Sequence, residues 1–322
     1  MFFIVKKNDL VMLGLAIVMI ILIISVIQSV SAVGDVAEGE FIKWVDYNVS
    51  LAAMNDAYDI DITTVGEEVH ISWIELLAYM GAKTGGSFNE YKTGSFDAVV
   101  GRLKNGEVME DIAKDMKYYN YYYEAYSAVL GEFVGTYMSM GEEKYGLKVY
   151  SPIAKTFPFN HYKDFGAGRS FGYKRKHLGN DLLGAVGTPI IAIEGGTIEE
   201  LGWNMYGGWR IGIRSLDKKR YYYYAHLRKN YPFHQSLEIG KTVEAGDVIG
   251  YLGRSGYSTV ENTNNIQTPH LHLGIQLIFD ESQKEGLTEI WIDVYNIVRF
   301  LQRNQMEVVR DAETKEWNRV VK

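Results

Sequence analysis

Four of the seven histidines in this 322-residue chain stand beside features that could do metal chemistry. His270-Leu271-His272 opens an alternating stretch in which Leu271, Leu273, Ile275 and Leu277 share one face. Successive side chains of a strand point to opposite faces, so His270 and His272 share the other. His177 and Asp181 are four residues apart across a glycine, in HLGND, which leads into Leu182-Leu183. His226 ends the β-like run Tyr221 to Ala225 and brings a third imidazole to a sheet surface. Two nitrogens, one oxygen and an open fourth position are what a catalytic zinc needs. An H-x-H pair alone is more often a surface pair, so the signal is the joint occurrence of these pieces. Cysteine is absent, which removes thiolate metal sites, disulfide scaffolds and cysteine nucleophiles. Any metal is therefore held by histidine and carboxylate.

The elements that must position these groups begin after Tyr150, where short apolar runs are punctuated by glycine. Pro189 to Ile193 before Gly195-Gly196, and Arg210 to Ile213 before a polar turn at Asp217, read as antiparallel strands. In Gly240 to Gly256 (GKTVEAGDVIGYLGRSG), glycines fall where tight turns need positive φ. A helix with Ile290, Val294, Ile297 or Val298, and Leu301 on one face closes this β-region. Before it, Phe41 to about Met140 reads as mostly helical. Ser72 with Glu75 forms a capping-box pattern ahead of Trp73, Leu76, Leu77 and Met80. Ile112, Met116, Tyr119, Tyr123, Tyr126, Leu130, Phe133 and Tyr137 recur every three or four residues, as on one long helix. The tyrosine cluster 118–126 reads as packed core in preference to a sugar-stacking platform. The expected fold class is α+β, an N-terminal transmembrane helix and a mostly α domain preceding an antiparallel all-β domain. The expected boundaries are 1–34, 35–148, 149–303 and a polar tail over 304–322.

Leu10 to Ile27 carries no charge and would make about 27 Å of helix, close to the roughly 30 Å hydrocarbon core. Lys6 and Lys7 precede it and Asp35, Glu38 and Glu40 follow. The positive-inside rule then leaves the tail in the cytoplasm, anchors the chain through residues 10–33 as a single-pass membrane protein, and exports the rest. The competing reading is secretion after cleavage near Ala32, where Val30-Ser31-Ala32 supplies small residues. The formal charge of −7, without a basic block, makes nucleic acid an unsuitable partner. Gly166-Ala167-Gly168 lacks the third glycine and the strand-to-helix setting of a dinucleotide site.

HLGND at 177–181, YAHL at 224–227, the glycine series 240–256 and HLHLGI at 270–275 together resemble the lysostaphin-type (LytM-like) zinc metallopeptidases. These are cell-wall endopeptidases of the duplicated hybrid motif fold, and the resemblance covers roughly Ser151 to Asp293. It implies one zinc ion held by His177, Asp181 and His272, with His226 and His270 as the catalytic pair. It also implies a metalloendopeptidase that cuts peptide bonds in peptidoglycan through a zinc-activated water. A tyrosine that some members place near the metal would here be Tyr173, closer to His177 than that role suggests. Asn180, Asn204 or a backbone carbonyl would orient a ligand imidazole through its second nitrogen. His70, His161 and His234 read as ordinary surface or packing residues. Two other classes stay open: a non-catalytic membrane-anchored scaffold or activator of the same fold, and a small lipoyl-like carrier or wall-binding module. No motif states whether the helical domain docks a protein partner.

Overall fold

In the computed structural model, residues 41–286 and 288–320 are described. The apolar run 10–27 and the expected transmembrane helix lie outside them. Among the described residues no helix is long and apolar enough to cross a membrane.

An extended segment, 41–50, leads into α1 (Leu51–Thr64), where the Ser50 hydroxyl accepts from Ala53 N at 3.2 Å as an N-cap. α2 (Trp73–Thr84) buries Trp73, Leu76, Leu77 and Met80, the face its periodicity predicts. Its cap differs from the expected box. The Ser72 side chain makes no capping bond; Asp61 of α1, 1% exposed, instead accepts from Trp73 N at 2.9 Å. The same carboxylate takes the Tyr145 hydroxyl at 2.8 Å and lies 3.0 Å from His70 Nε2. A tertiary partner thus satisfies the first N–H of the helix. Gly85, at φ 64°, ends α2 in the left-handed region that glycine tolerates.

α3 (Asp97–Lys104) and α4 (Met109–Ala113) are short. The expected long helix from Ile112 to Tyr137 is broken: α5 spans only Tyr119–Leu130, and Val134–Ser139 is strand β1, paired with β2 (Glu142–Leu147). Gly131 ends α5 at a point where a Cβ would meet Ser127 O at 2.5 Å. Met140 and Gly141, at φ 55° and 80°, make the two-residue turn of the hairpin. The Phe133 and Tyr137 spacing that mimics a helical stripe therefore belongs to a turn and a strand. Tyr122 and Tyr126 are buried, as the packing reading requires.

The β-region is built on an eight-stranded sheet. Its strands are β3 (Asn160–His161), β6 (Asn180–Leu183), β8 (Gly196–Asn204), β9 (Gly208–Ser215), β10 (Arg220–Ala225), β11 (Thr242–Val243), β13 (His270–Leu277) and β14 (Ile290–Ile292). The order is β11-β8-β9-β10-β13-β6-β3, with β14 also on β13, and every pairing is antiparallel. Smaller ribbons join β4 (Gly168–Arg169) to β5 (Arg175–Lys176), β7 (Pro189–Ile191) to β12 (Val248–Tyr251), and β15 (Val308–Arg310) to β16 (Trp317–Arg319). The last of these, in a polar stretch, sets Trp317 edge-on to Phe157 at 5.3 Å. α6 (Tyr295–Leu301) closes the region with Ile297, Val298, Phe300 and Leu301 buried. One apolar cluster runs from Ile42 through the helices and the sheet to Leu301, so helical and β parts share a core. Arg220, fully buried, also joins them, donating to the Ala128 carbonyl of α5.

Candidate active site

Strand register assembles the site. β13 lies between β10 and β6, and His272 stands opposite Asp181 on one side and Ala225 on the other. Leu271, Leu273, Ile275 and Leu277 are fully buried on the core face. Alternation then turns His270 and His272 to the cleft. His226, one residue past β10, has φ 63°, a left-handed backbone uncommon for residues that carry a Cβ. His177 reaches the same point from the loop before β6. Gly179, between His177 and Asp181, permits the approach: a Cβ there would lie 2.5 Å from Leu273 O and 2.8 Å from the His272 ring. Gly179→Ala is expected to move His272 and lower metal affinity about 10- to 100-fold, read by competition with a chromogenic chelator. Unchanged affinity would show that the ring does not need this space.

His177 Nε2 lies 2.7 Å from His272 Nδ1 and 3.0 Å from Asp181 Oδ1, and His272 Nδ1 lies 3.3 Å from that oxygen. A tetrahedral ion with bonds of about 2.0–2.1 Å sets its ligand atoms roughly 3.3 Å apart. Two imidazole nitrogens and a carboxylate oxygen converging at this spacing fit a zinc ion, and they form a metal-capable group among the described residues. Burial alone would lower His177, but hydrogen bonds to Asp164 and Asp181 push it up to about 9. Burial alone would raise Asp181, yet His177 and His272 hold it well below the usual carboxylate range. His272 is lowered, chiefly by burial.

The second nitrogens are fixed by backbone carbonyls. His177 Nδ1–H donates to Asp164 O at 3.1 Å, His226 Nδ1–H to Ser255 O at 3.0 Å and His270 Nδ1–H to Thr268 O at 2.8 Å. That turns the Nε2 atoms of His226 and His270 toward the cleft, their ring centroids 4.8 Å apart. Burial, reinforced by His270 and His272, pushes His226 well below its ordinary value, so it is neutral near pH 7. The amides do other work. Asn180 accepts from Val294 N at 3.0 Å and donates to Tyr162 O, tying β6 to the start of α6. Asn204 accepts from Tyr206 N and Gly207 N, shaping the turn before β9.

Asp164 and Arg169 are the contributors that sequence reasoning missed. Arg169 Nη2 donates to Asp164 Oδ2 at 2.8 Å and to Asp181 Oδ2 at 3.0 Å, while Asp181 N donates to Asp164 Oδ1 at 3.2 Å. The loop set aside as a poor nucleotide motif carries both residues. Its turn at Gly166, φ 75°, is held to His177 by Gly166 N to His177 O and His177 N to Ala167 O. An acid and a base flanking a glycine turn just before the first histidine was the available signal. Tyr173 is 58% exposed, packs edge-on against Tyr206, and is absent from the cleft lining, where Tyr206, Tyr223 and Tyr257 stand. His70 pairs with Asp61, His161 meets the Tyr295 ring at 4.6 Å with the planes tilted by 40°, and His234 bonds Ser236. The cleft holds about 150 Å³, and a second hollow of about 570 Å³ adjoins it across His272.

Residues 175–284 match the sequence profile of Peptidase family M23. The L-Ala–D-Glu endopeptidase of Bacillus subtilis (strain 168) is 32% identical over 190 residues, covering 59% of this chain and 55% of that protein. Lysostaphin of Staphylococcus simulans is 39% identical over 97 residues, covering 30% of this chain and 17% of lysostaphin. The chain thus spans about half of the first relative and a small part of the second. A solved structure from Ruminococcus gnavus ATCC 29149, described provisionally as the glycyl-glycine endopeptidase LytM, superposes with a TM-score of 0.55 at 22% identity. That likeness of fold covers 84% of this chain and 94% of the other. Residues 175–284 are thus similar to a Peptidase family M23 domain and to the corresponding parts of lysostaphin and the L-Ala–D-Glu endopeptidase, with Asp181 and His272 on adjacent antiparallel strands and His177 on the loop before them.

Proposed function

We propose that the protein is a zinc metalloendopeptidase that hydrolyses peptide bonds of peptidoglycan, in a stem peptide or cross-bridge, outside the cytoplasmic membrane. The observation that carries this reading is the convergence of His177 Nε2, Asp181 Oδ1 and His272 Nδ1 beside two further imidazoles. His177, Asp181 and His272 hold the zinc. When bound, it supplies a Lewis acid and brings the pKa of water toward 7. His226, kept neutral by burial, takes the proton of the attacking water at Nε2 and returns it to the leaving amine. His270, when both its ring nitrogens carry protons, donates Nε2–H to the oxygen that gains charge as the carbonyl becomes tetrahedral. Asp164 and Arg169 hold Asp181 and His177 in register, as outer-shell partners of metal ligands do. Export and anchoring rest on the uncharged run 10–27 and the charges that flank it.

The test incubates the full chain with purified peptidoglycan, with and without a zinc chelator, and weighs the released fragments by mass spectrometry. New fragments that vanish with chelator and return with added zinc are expected, their masses naming the bond. Absence of fragments from protein that also binds no zinc would replace this reading with that of a non-catalytic scaffold of the same fold.

A further inference from the structure

Three cations line the cleft: Arg169, Arg175 and Lys176. Arg169 is occupied by Asp164 and Asp181. Arg175 has no carboxylate partner among the described residues. Its Nη1 donates to the Phe171 carbonyl at 2.7 Å, and its guanidinium lies over the rings of Tyr206 at 4.7 Å, Tyr257 at 5.6 Å and Tyr173 at 5.8 Å. These rings brace one another, Phe171 stacking on Tyr257 at 5.0 Å and Tyr173 meeting Tyr206 edge-on at 5.7 Å. A guanidinium has five N–H donors in a rigid fork, and ring contacts use its face while leaving its edge free. Arg175 is thus an ordered cation whose remaining donors are available to a planar anion.

Its place relative to the proposed chemistry is set by Tyr257, whose centroid lies 5.6 Å from both the Arg175 guanidinium and the His226 imidazole. The two groups are therefore at most about 11 Å apart, a span that about three residues of extended peptide cross at about 3.3–3.6 Å per residue. In the hollow beyond His272 the cations are neutralised, Arg210 by Glu200 and Lys284 by Glu199, and Glu285 and Glu289 add negative charge. The two sides of His272 thus differ in sign.

We propose that Arg175, with Lys176 beside it, forms an anion subsite that reads a carboxylate on a substrate residue within about three positions of the scissile bond. The inference rests on the peptidase reading above and adds a substrate class to it. An Ala–Glu bond whose glutamate keeps a free carboxyl fits this subsite; a glycyl-glycine bond has nothing to offer it.

The test uses two peptides, L-Ala-D-Glu-L-Lys with the second D-Glu carboxyl free and the same peptide with that carboxyl amidated. Each is titrated calorimetrically onto the chelator-treated full chain, where nothing is hydrolysed, and cleavage by zinc-loaded protein is followed in parallel with purified peptidoglycan. The acidic peptide is expected to bind about 10- to 100-fold more tightly than the amide, the range for a charge-assisted hydrogen bond. Arg175→Gln should bring that ratio close to one, and Arg175→Lys, which keeps the charge without the fork, should retain part of it. Equal binding of both peptides by the wild-type chain overturns the inference, as does a ratio that survives Arg175→Gln in protein of normal melting temperature. Preference without cleavage of peptides or wall would leave the subsite standing and remove the hydrolase reading; cleavage without preference would do the reverse.

Discussion

His272→Ala is expected to abolish stoichiometric zinc binding and to lower wall hydrolysis by on the order of 10³-fold or more, while the fold survives. The imidazole supplies one of three converging donor atoms, 2.7 Å and 3.3 Å from the other two. Without it the ion keeps two ligands, too few for the three that a catalytic zinc takes from protein. The backbone of residue 272 still pairs with β10 and β6, and the core contacts of Leu271 and Leu273 are untouched. Metal content by atomic absorption, melting temperature and rate should therefore separate. His270→Ala is the control, losing activity but holding its zinc, because Asp181 Oδ1 stands 3.6 Å from His270 Nε2 against 3.0 Å from His177 Nε2. A His272→Ala protein with full zinc and full rate would show the ligand assignment to be wrong.

The largest loss of stability is expected far from the metal donors, at Arg220. Its side chain is fully buried, donating through Nε and Nη2 to Glu194 at 2.8 and 3.1 Å and through Nη2 to Asp217 at 2.8 Å. Tyr222 OH donates to the same Glu194 at 2.6 Å. Arg220→Met would leave the Glu194 carboxylate in an apolar interior and cut the bond to α5, at a cost of about 3–5 kcal/mol. For a domain of this size that lowers the melting temperature by on the order of 10 °C. Replacing Arg220 and Glu194 together with Met and Leu should recover part of the loss, since no buried carboxylate is then stranded although Tyr222 OH loses its acceptor. Equal melting temperatures for the single and double variants would refute the stranded-charge account. Half-burial alone would raise Asp217, but the Arg220 charge and bonds from Ser215 and Lys219 more than offset it and hold the carboxyl below its ordinary value. Its contribution is therefore complete above the unfolded pKa of roughly 3.9 and fades as pH falls through the lower folded value. Asp217→Asn should flatten that acid limb.

How far the sequence could be read follows from which residues obeyed a period. β13 alternates over eight residues, so its two faces were legible, and with them the shared direction of His270 and His272. HLGND carried its own glycine turn. Where a period was only approximately helical it misled: Phe133 and Tyr137 continued the spacing of α5 beyond Gly131 into a hairpin. Ser72 and Glu75 matched a local rule that the structure does not use, while Asp61, eleven residues before Ser72, accepts from Trp73 N. Asp164, Arg169 and Arg175 lie on loops and two-residue strands, which have no periodicity to read. Their role depends on β4 and β5 folding back over the first histidine. Long-range contact, and not residue type, made them part of the site.

The left-handed backbone at His226 costs on the order of 1 kcal/mol or more for a residue with a Cβ, a cost glycine would avoid and asparagine would reduce. Turning the chain there lets the imidazole leave the pleat of β10 and face His270 while its Nδ1 stays tied to Ser255. Selection for thermal robustness alone would therefore erode position 226, and a homologue carrying glycine or asparagine there would have exchanged turnover for durability.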